Sequence, residues 1–143
     1  MSALASEFIA LFVYGTAIVL LHELGHALFA SLGGYKVTSL GLGFGRPLLR
    51  FSVRGGLVVY IGRIWFGGAC HAVPVGPHTT SRLWYHGGGL ILQAILMCLL
   101  AFWPEHHWMD RAAHFNWLVL CTNATPWRFG SSASDGWYIL DAV

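Results

Sequence analysis

Charge is scarce in this chain. Of 143 residues only 10% are charged, eight basic and six acidic, against 56% hydrophobic. A balance of that kind belongs to a chain solvated by lipid and excludes a large soluble domain. Cysteine is nearly as sparse. Cys70, Cys98 and Cys121 are odd in number and form no CxxC pair, which argues against a disulfide framework and against a thiolate metal site. All three read as reduced, packed residues. No Lys or Arg precedes the first apolar run and no small-residue cleavage pattern ends it before Gly33, so that run is expected to stay as a membrane helix and not to leave as a signal peptide. Repeats, linkers and low-complexity tails are also missing.

What is present is a set of three apolar segments. They run from Phe8 to Leu32, from Trp84 to Trp103, and from Ala112 towards Pro126. A spanning helix needs about 20 mostly apolar residues, so residues 1–143 are expected to form one membrane-embedded unit. Its helices are predicted at 8–32, 84–103 and 112–126. Between the first two, residues 36–70 are rich in glycine, with short β-branched and aromatic runs separated by Gly-Gly, Arg-Pro and Arg-Gly-Gly. That is hairpin punctuation, and two to four short strands are expected there, Leu57 to Phe66 foremost. The fold class expected is an α-helical integral membrane protein, about three core helices with a small membrane-associated β-sheet.

Lys36, Arg46, Arg50, Arg54, Arg63 and Arg82 all fall in that connecting segment, leaving only Arg111 and Arg128 elsewhere. By the positive-inside tendency the segment faces the cytoplasm, and "PEHHWMDR" (Pro104 to Arg111) becomes a short outer loop. Tryptophans such as Trp84, Trp103, Trp108 and Trp127 then sit near helix ends, as an aromatic belt would.

Within the first segment stands "LLHELGHALF" (Leu20 to Phe29). Counted from Phe8 at about 1.5 Å per residue, His22 lies about 21 Å into a hydrocarbon core roughly 30 Å thick. Ionisable groups at that depth are costly and mark functional sites more often than packing. Residues four apart share a helix face, so His22 and His26 can turn their imidazoles to one ion, with Glu23 beside them as proton acceptor for a water. Gly25 would let another backbone approach closely. The competing reading is a hydrogen-bonded trio packed between helices.

A zinc of this kind requires a third protein ligand. After the motif the carboxylates are Glu105, Asp110, Asp135 and Asp141. Glu105 and Asp110 fall on the wrong side by the orientation above, and Asp141 stands next to the terminus. Asp135 remains, in "SSASDGW", although taken alone an Asp-Gly pair reads as a simple turn. His106 and His107 read as solvated loop residues, and His71, His78, His86 and His114 as polar surface or interface residues.

These features together resemble the site-2 proteases, intramembrane zinc metalloproteases of peptidase family M50, over nearly the whole chain. "HELGH" (His22 to His26) matches the family's zinc helix. "GLGFGRPLLRF" and "VVYIGRIWFGG" are similar to its membrane-associated sheet, "GGLILQ" (Gly88 to Gln93) to its Gly-x-x-x-Asn motif, and "NATP…SDG" (Asn123 to Gly136) to its Asn-x-x-Pro…Asp-Gly motif. The resemblance implies one Zn²⁺ held by His22, His26 and Asp135, Glu23 as general base, and Asn123 or Gln93 as donors to substrate or oxyanion. It implies hydrolysis of a peptide bond in or near a transmembrane helix of a protein substrate. It also implies a plasma-membrane location in a prokaryote with the site toward the cytoplasm, the bilayer as surroundings and no nucleic acid as partner. Three departures stand out. Eight residues separate Pro126 from Asp135 where four are common, Gln93 replaces the usual Asn, and "WYILDAV" is too short to span a membrane. The alternative function is an inactive or truncated relative that binds zinc and transmembrane segments. A metal transporter is disfavoured because the second helix offers only Gln93 as a polar group in its span.

Overall fold

The computed structural model describes residues 3–76, 82–102, 107–130 and 132–143. Helix α1 (Ala3–Leu32) starts earlier than the sequence suggested and carries the HELGH turn in its last third. It stops where helical dihedrals give way to a glycine pair. Gly33 N–H still reaches Phe29 O at 2.9 Å, but Gly34 adopts φ 81°, a left-handed turn that glycine adopts without the steric cost of a Cβ. The chain then enters two long strands, β1 (Tyr35–Val53) and β2 (Leu57–Pro74). Helix α2 (Arg82–Ala101) follows, then α3 (His107–Ala124). A two-residue hairpin, β3 (Arg128–Phe129) with β4 (Ser132–Ala133), leads to the short helix α4 (Asp135–Asp141).

The sheet is folded back on itself. Residues 35–42 pair with 68–74, as Leu40 does with Cys70. Residues 39–42 also pair with 58–61, and 47–53 pair with 57–62. The segment order is therefore 47–53, 57–62, 35–42, 68–74. The Leu57 to Phe66 strand, foremost among those expected, has partners on both sides along 58–61. The outer edges are those of 49–53 and 68–74.

Burial is inverted relative to a water-soluble domain. The largest fully buried side chains are Gln93, Asn116 and Ser134, while Phe8, Phe12, Leu24, Leu28, Ile95 and Leu99 are exposed. Such a surface suits an apolar medium, because each large exposed side chain in water forgoes roughly 1.5–3 kcal/mol of burial. Ala5–Leu32 and Arg82–Ala101 are long and apolar enough to cross a membrane. The third predicted helix is present but more polar. Its first turns carry Asp110 and Arg111, residues assigned to an outer loop by the sequence, and Asn116 and Asn123 lie further along. Residues 104–106 of that expected loop and His78 lie outside the described residues. At the α3 end Arg111 Nη2 meets Glu7 Oε1 at 2.5 Å, tying the starts of α1 and α3.

α1 and α2 meet backbone to backbone. A Cβ at Gly25 would stand 2.5 Å from Gly88 O and 2.8 Å from Gly89 Cα, so glycine on both helices permits the contact that the sequence anticipated at Gly25. The two ends of this seam are the walls of the polar cluster.

Candidate metal centre

His22 and His26 occupy one face of α1, as residues four apart must, and both are buried, as is Glu23. Each imidazole has its Nδ1 committed behind it. His26 Nδ1 donates to the carbonyl oxygen of Tyr85 at 2.8 Å, and His22 Nδ1 donates to Gln93 Oε1 at 2.9 Å. A carbonyl can only accept, so in the neutral rings Nε2 carries the lone pair. The two Nε2 atoms face each other 3.0 Å apart. Asp135 Oδ2 joins them, 2.9 Å from His22 Nε2 and 3.3 Å from His26 Nε2.

With both rings neutral, three lone pairs converge there and repel unless a proton or a metal cation stands among them. Their spacing suits zinc, since ligands about 2.0–2.1 Å from a tetrahedral ion lie about 3.3 Å from one another. His22, His26 and Asp135 form the one such group among the described residues. Asp135 keeps its charge. Burial opposes ionisation, but the surrounding imidazoles of His22, His26 and His86 outweigh it and hold the carboxyl well below the usual range.

α4 positions this carboxylate. Ser134 caps the helix, its Oγ accepting from Trp137 N–H at 3.2 Å and from Trp127 N–H at 3.1 Å and donating to Thr125 O at 2.7 Å. Asp-Gly thus opens a helix and is not the simple turn that it resembles in isolation. Gly136 packs against Ala124 O so closely that a Cβ there would overlap it. The sequence signal for the cap is a serine before Asp135, a usual N-cap residue.

Glu23 directly follows His22 and faces the sheet. The Cys70 backbone N–H bonds its carboxylate, and Gly68 leaves the space it needs, a Cβ there standing 2.7 Å from Glu23 Cγ. Tyr85 Oη in turn donates to the Cys70 carbonyl. Segment 68–70 therefore runs directly past the glutamate. Gly89 does the same for the imidazoles, since its Cβ would meet His22 Cε1 at 2.6 Å and His26 Nε2 at 2.8 Å.

The two amides fare differently. Gln93 is fully buried behind His22, its Oε1 engaged with that ring, and its backbone carbonyl accepts from Asn116 Nδ2 at 2.9 Å. Asn123 Nδ2 donates to Val119 O within its own helix at 3.0 Å. His86, read from the sequence as a surface or interface residue, turns its Nδ1 to 3.5 Å from Asp135 Oδ1 with only 14% of its side chain exposed. His86, Tyr85 and Ser134 are the site neighbours that sequence reasoning missed.

Residues 8–127 match the model of peptidase family M50, the site-2 protease family. No curated protein matches the chain. The matched span covers most of the 143 residues, and the chain belongs to peptidase family M50, a family of membrane metallopeptidases.

Proposed function

We propose that this M50 chain is a zinc-dependent intramembrane endopeptidase that hydrolyses a peptide bond in or near a transmembrane helix of a protein substrate. The observation that carries the reading is the convergence of His22 Nε2, His26 Nε2 and Asp135 Oδ2, with both Nδ1 protons turned away and Glu23 alongside. One zinc held there would polarise a carbonyl and lower the pKa of a water towards neutrality. Glu23 would accept that water's proton and pass it to the leaving amine, its carboxylate held by the Cys70 N–H. Gln93, through Oε1, would hold the His22 ring in the tautomer that leaves Nε2 free.

The substrate must present an extended segment, because a helical peptide bond is shielded and internally bonded. An edge strand can hold it by strand addition. With 58–61 paired on both sides, the candidate edge is that of 68–74, which passes Glu23. α3 would be a third crossing, and the positive-inside tendency of the basic connecting segment supports a site toward the cytoplasm.

The test is the zinc-to-protein ratio of the detergent-purified chain together with cleavage of a transmembrane reporter. Wild type should carry close to one zinc and cut the reporter. His22→Ala and Asp135→Ala should lose both zinc and cleavage, and Glu23→Gln should keep zinc and lose cleavage. Zinc indifferent to Asp135, or cleavage surviving Glu23→Gln, would overturn the reading. A wild type that binds zinc and transmembrane segments but cuts nothing would favour the inactive relative.

A further inference from the structure

Asp135 divides its two oxygens between two neighbours. Oδ2 faces the histidine pair of α1, and Oδ1 faces His86 Nδ1 on α2 at 3.5 Å, the outer limit of a hydrogen bond and within ion-pair range. His86 is itself held from the far side. Its ring lies flat on Tyr138, with centroids 4.4 Å apart and planes 15° from parallel, and tilts against Tyr85 at 4.6 Å. Asp135 and Tyr138 are three residues apart on α4 and so share a face. One imidazole of α2 therefore grips both the carboxylate and the aromatic ring of the same short helix. It does not join the converging donor set, which consists of His22, His26 and Asp135.

We infer that His86 is a positioning residue that holds Asp135 in one-oxygen presentation to the metal, with Tyr138 fixing the imidazole by stacking. The inference rests on the zinc reading above. Its physical content is the fate of Oδ1. A carboxylate free to rotate can offer both oxygens to a zinc, and the second would take the position that an open catalytic site keeps for water. Tying Oδ1 to His86 keeps that position free and fixes the direction of Oδ2. Such outer partners typically change metal affinity 10- to 100-fold when removed.

The experiment uses the full chain in detergent with three variants. His86→Phe keeps a ring for Tyr138 but removes the donor, His86→Gln keeps a donor without the ring, and Tyr138→Leu removes the stack. Zinc affinity is read by chelator competition, and coordination number by the visible spectrum of the Co²⁺-loaded protein, whose bands weaken as the ion passes from four ligands to more. His86→Phe should bind zinc roughly 10- to 100-fold more weakly and show the weakened bands, and His86→Gln should recover part of both. Wild-type affinity and spectrum in His86→Phe would overturn the inference while leaving the zinc reading intact. A wild type that binds neither metal would instead overturn the zinc reading. Should His86→Phe fail to fold, Tyr138→Leu on the helix surface carries the same test: an intermediate loss of affinity supports the inference, and unchanged affinity and spectrum overturn it.

Discussion

Ser134 and Trp127 are bonded to each other twice, Ser134 N–H to Trp127 O at 3.0 Å and Trp127 N–H to Ser134 Oγ at 3.1 Å. The chain between them leaves and returns through the β3–β4 pairing of Arg128 with Ala133 and Phe129 with Ser132. The long interval between Pro126 and Asp135 is therefore a closed excursion. Asp135 is delivered as if the chain had passed directly from residue 127 to residue 134.

Ser134→Ala should accordingly loosen the third ligand without touching the other two. Loss of the cap costs about 1 kcal/mol, and two further bonds to Trp127 and Thr125 go with it. The expected outcome is a lower unfolding temperature and faster zinc loss to a chelator, while Ser134→Thr, which retains the hydroxyl, stays close to wild type.

The glycine seam sets a second expectation. Gly88→Ala places a methyl 2.5 Å from Gly25 O and 2.7 Å from Phe29 Cβ, and backbone cannot yield cheaply. Overpacking of this kind costs typically 1–3 kcal/mol and should move the His26 to Tyr85 bond, so that zinc stoichiometry falls with stability. Gly15→Ala, with nothing within 4 Å of the new methyl, should leave both unchanged.

Gln93 separates two roles by one variant. If its amide orients His22, Gln93→Leu weakens zinc binding about 10-fold or more even with no substrate present. A variant that holds zinc as wild type does but turns over slowly would return Gln93 to the oxyanion role implied by the family motif.

Cys70 should be inert to thiol reagents in the folded protein. Burial, with the charge of Glu23 adding to it, pushes its thiol up to about 12, so at pH 8 almost no thiolate is present and little surface is offered. Alkylation followed by mass spectrometry should find Cys70 unmodified at pH 8 and modified once the chain is unfolded. Rapid labelling of the folded form would show that strand 68–74 opens.

Much of this site was legible in the sequence because its signals are local. His22, Glu23 and His26 lie within two turns of one helix, and the helix period alone brings the imidazoles together. Asp135 was reachable by elimination, because the chain has so few acids. His86 was not, since its partner lies 49 positions away and no spacing rule links them; the only hint was an aromatic three residues after Asp135. Strand pairing was hidden for a related reason. The β-branched and aromatic run in 57–66 shows that a strand exists there and says nothing of how many neighbours it has. The outer loop was drawn too long because Asp110 and Arg111 read as loop charges, whereas both lie in α3 and Arg111 pairs with Glu7 on α1.

The contact of α1 with α2 at Gly25, Gly88 and Gly89 has a consequence for how the centre comes together. His22, His26, the Tyr85 carbonyl and Gln93 all belong to these two interlocked helices, so two of the three proposed ligands are oriented whatever the position of α4. Asp135 comes from a separate seven-residue helix. The proposed centre is thus a socket with a single latch, and whatever shifts α4 would decide whether a metal is gripped by two side chains or by three.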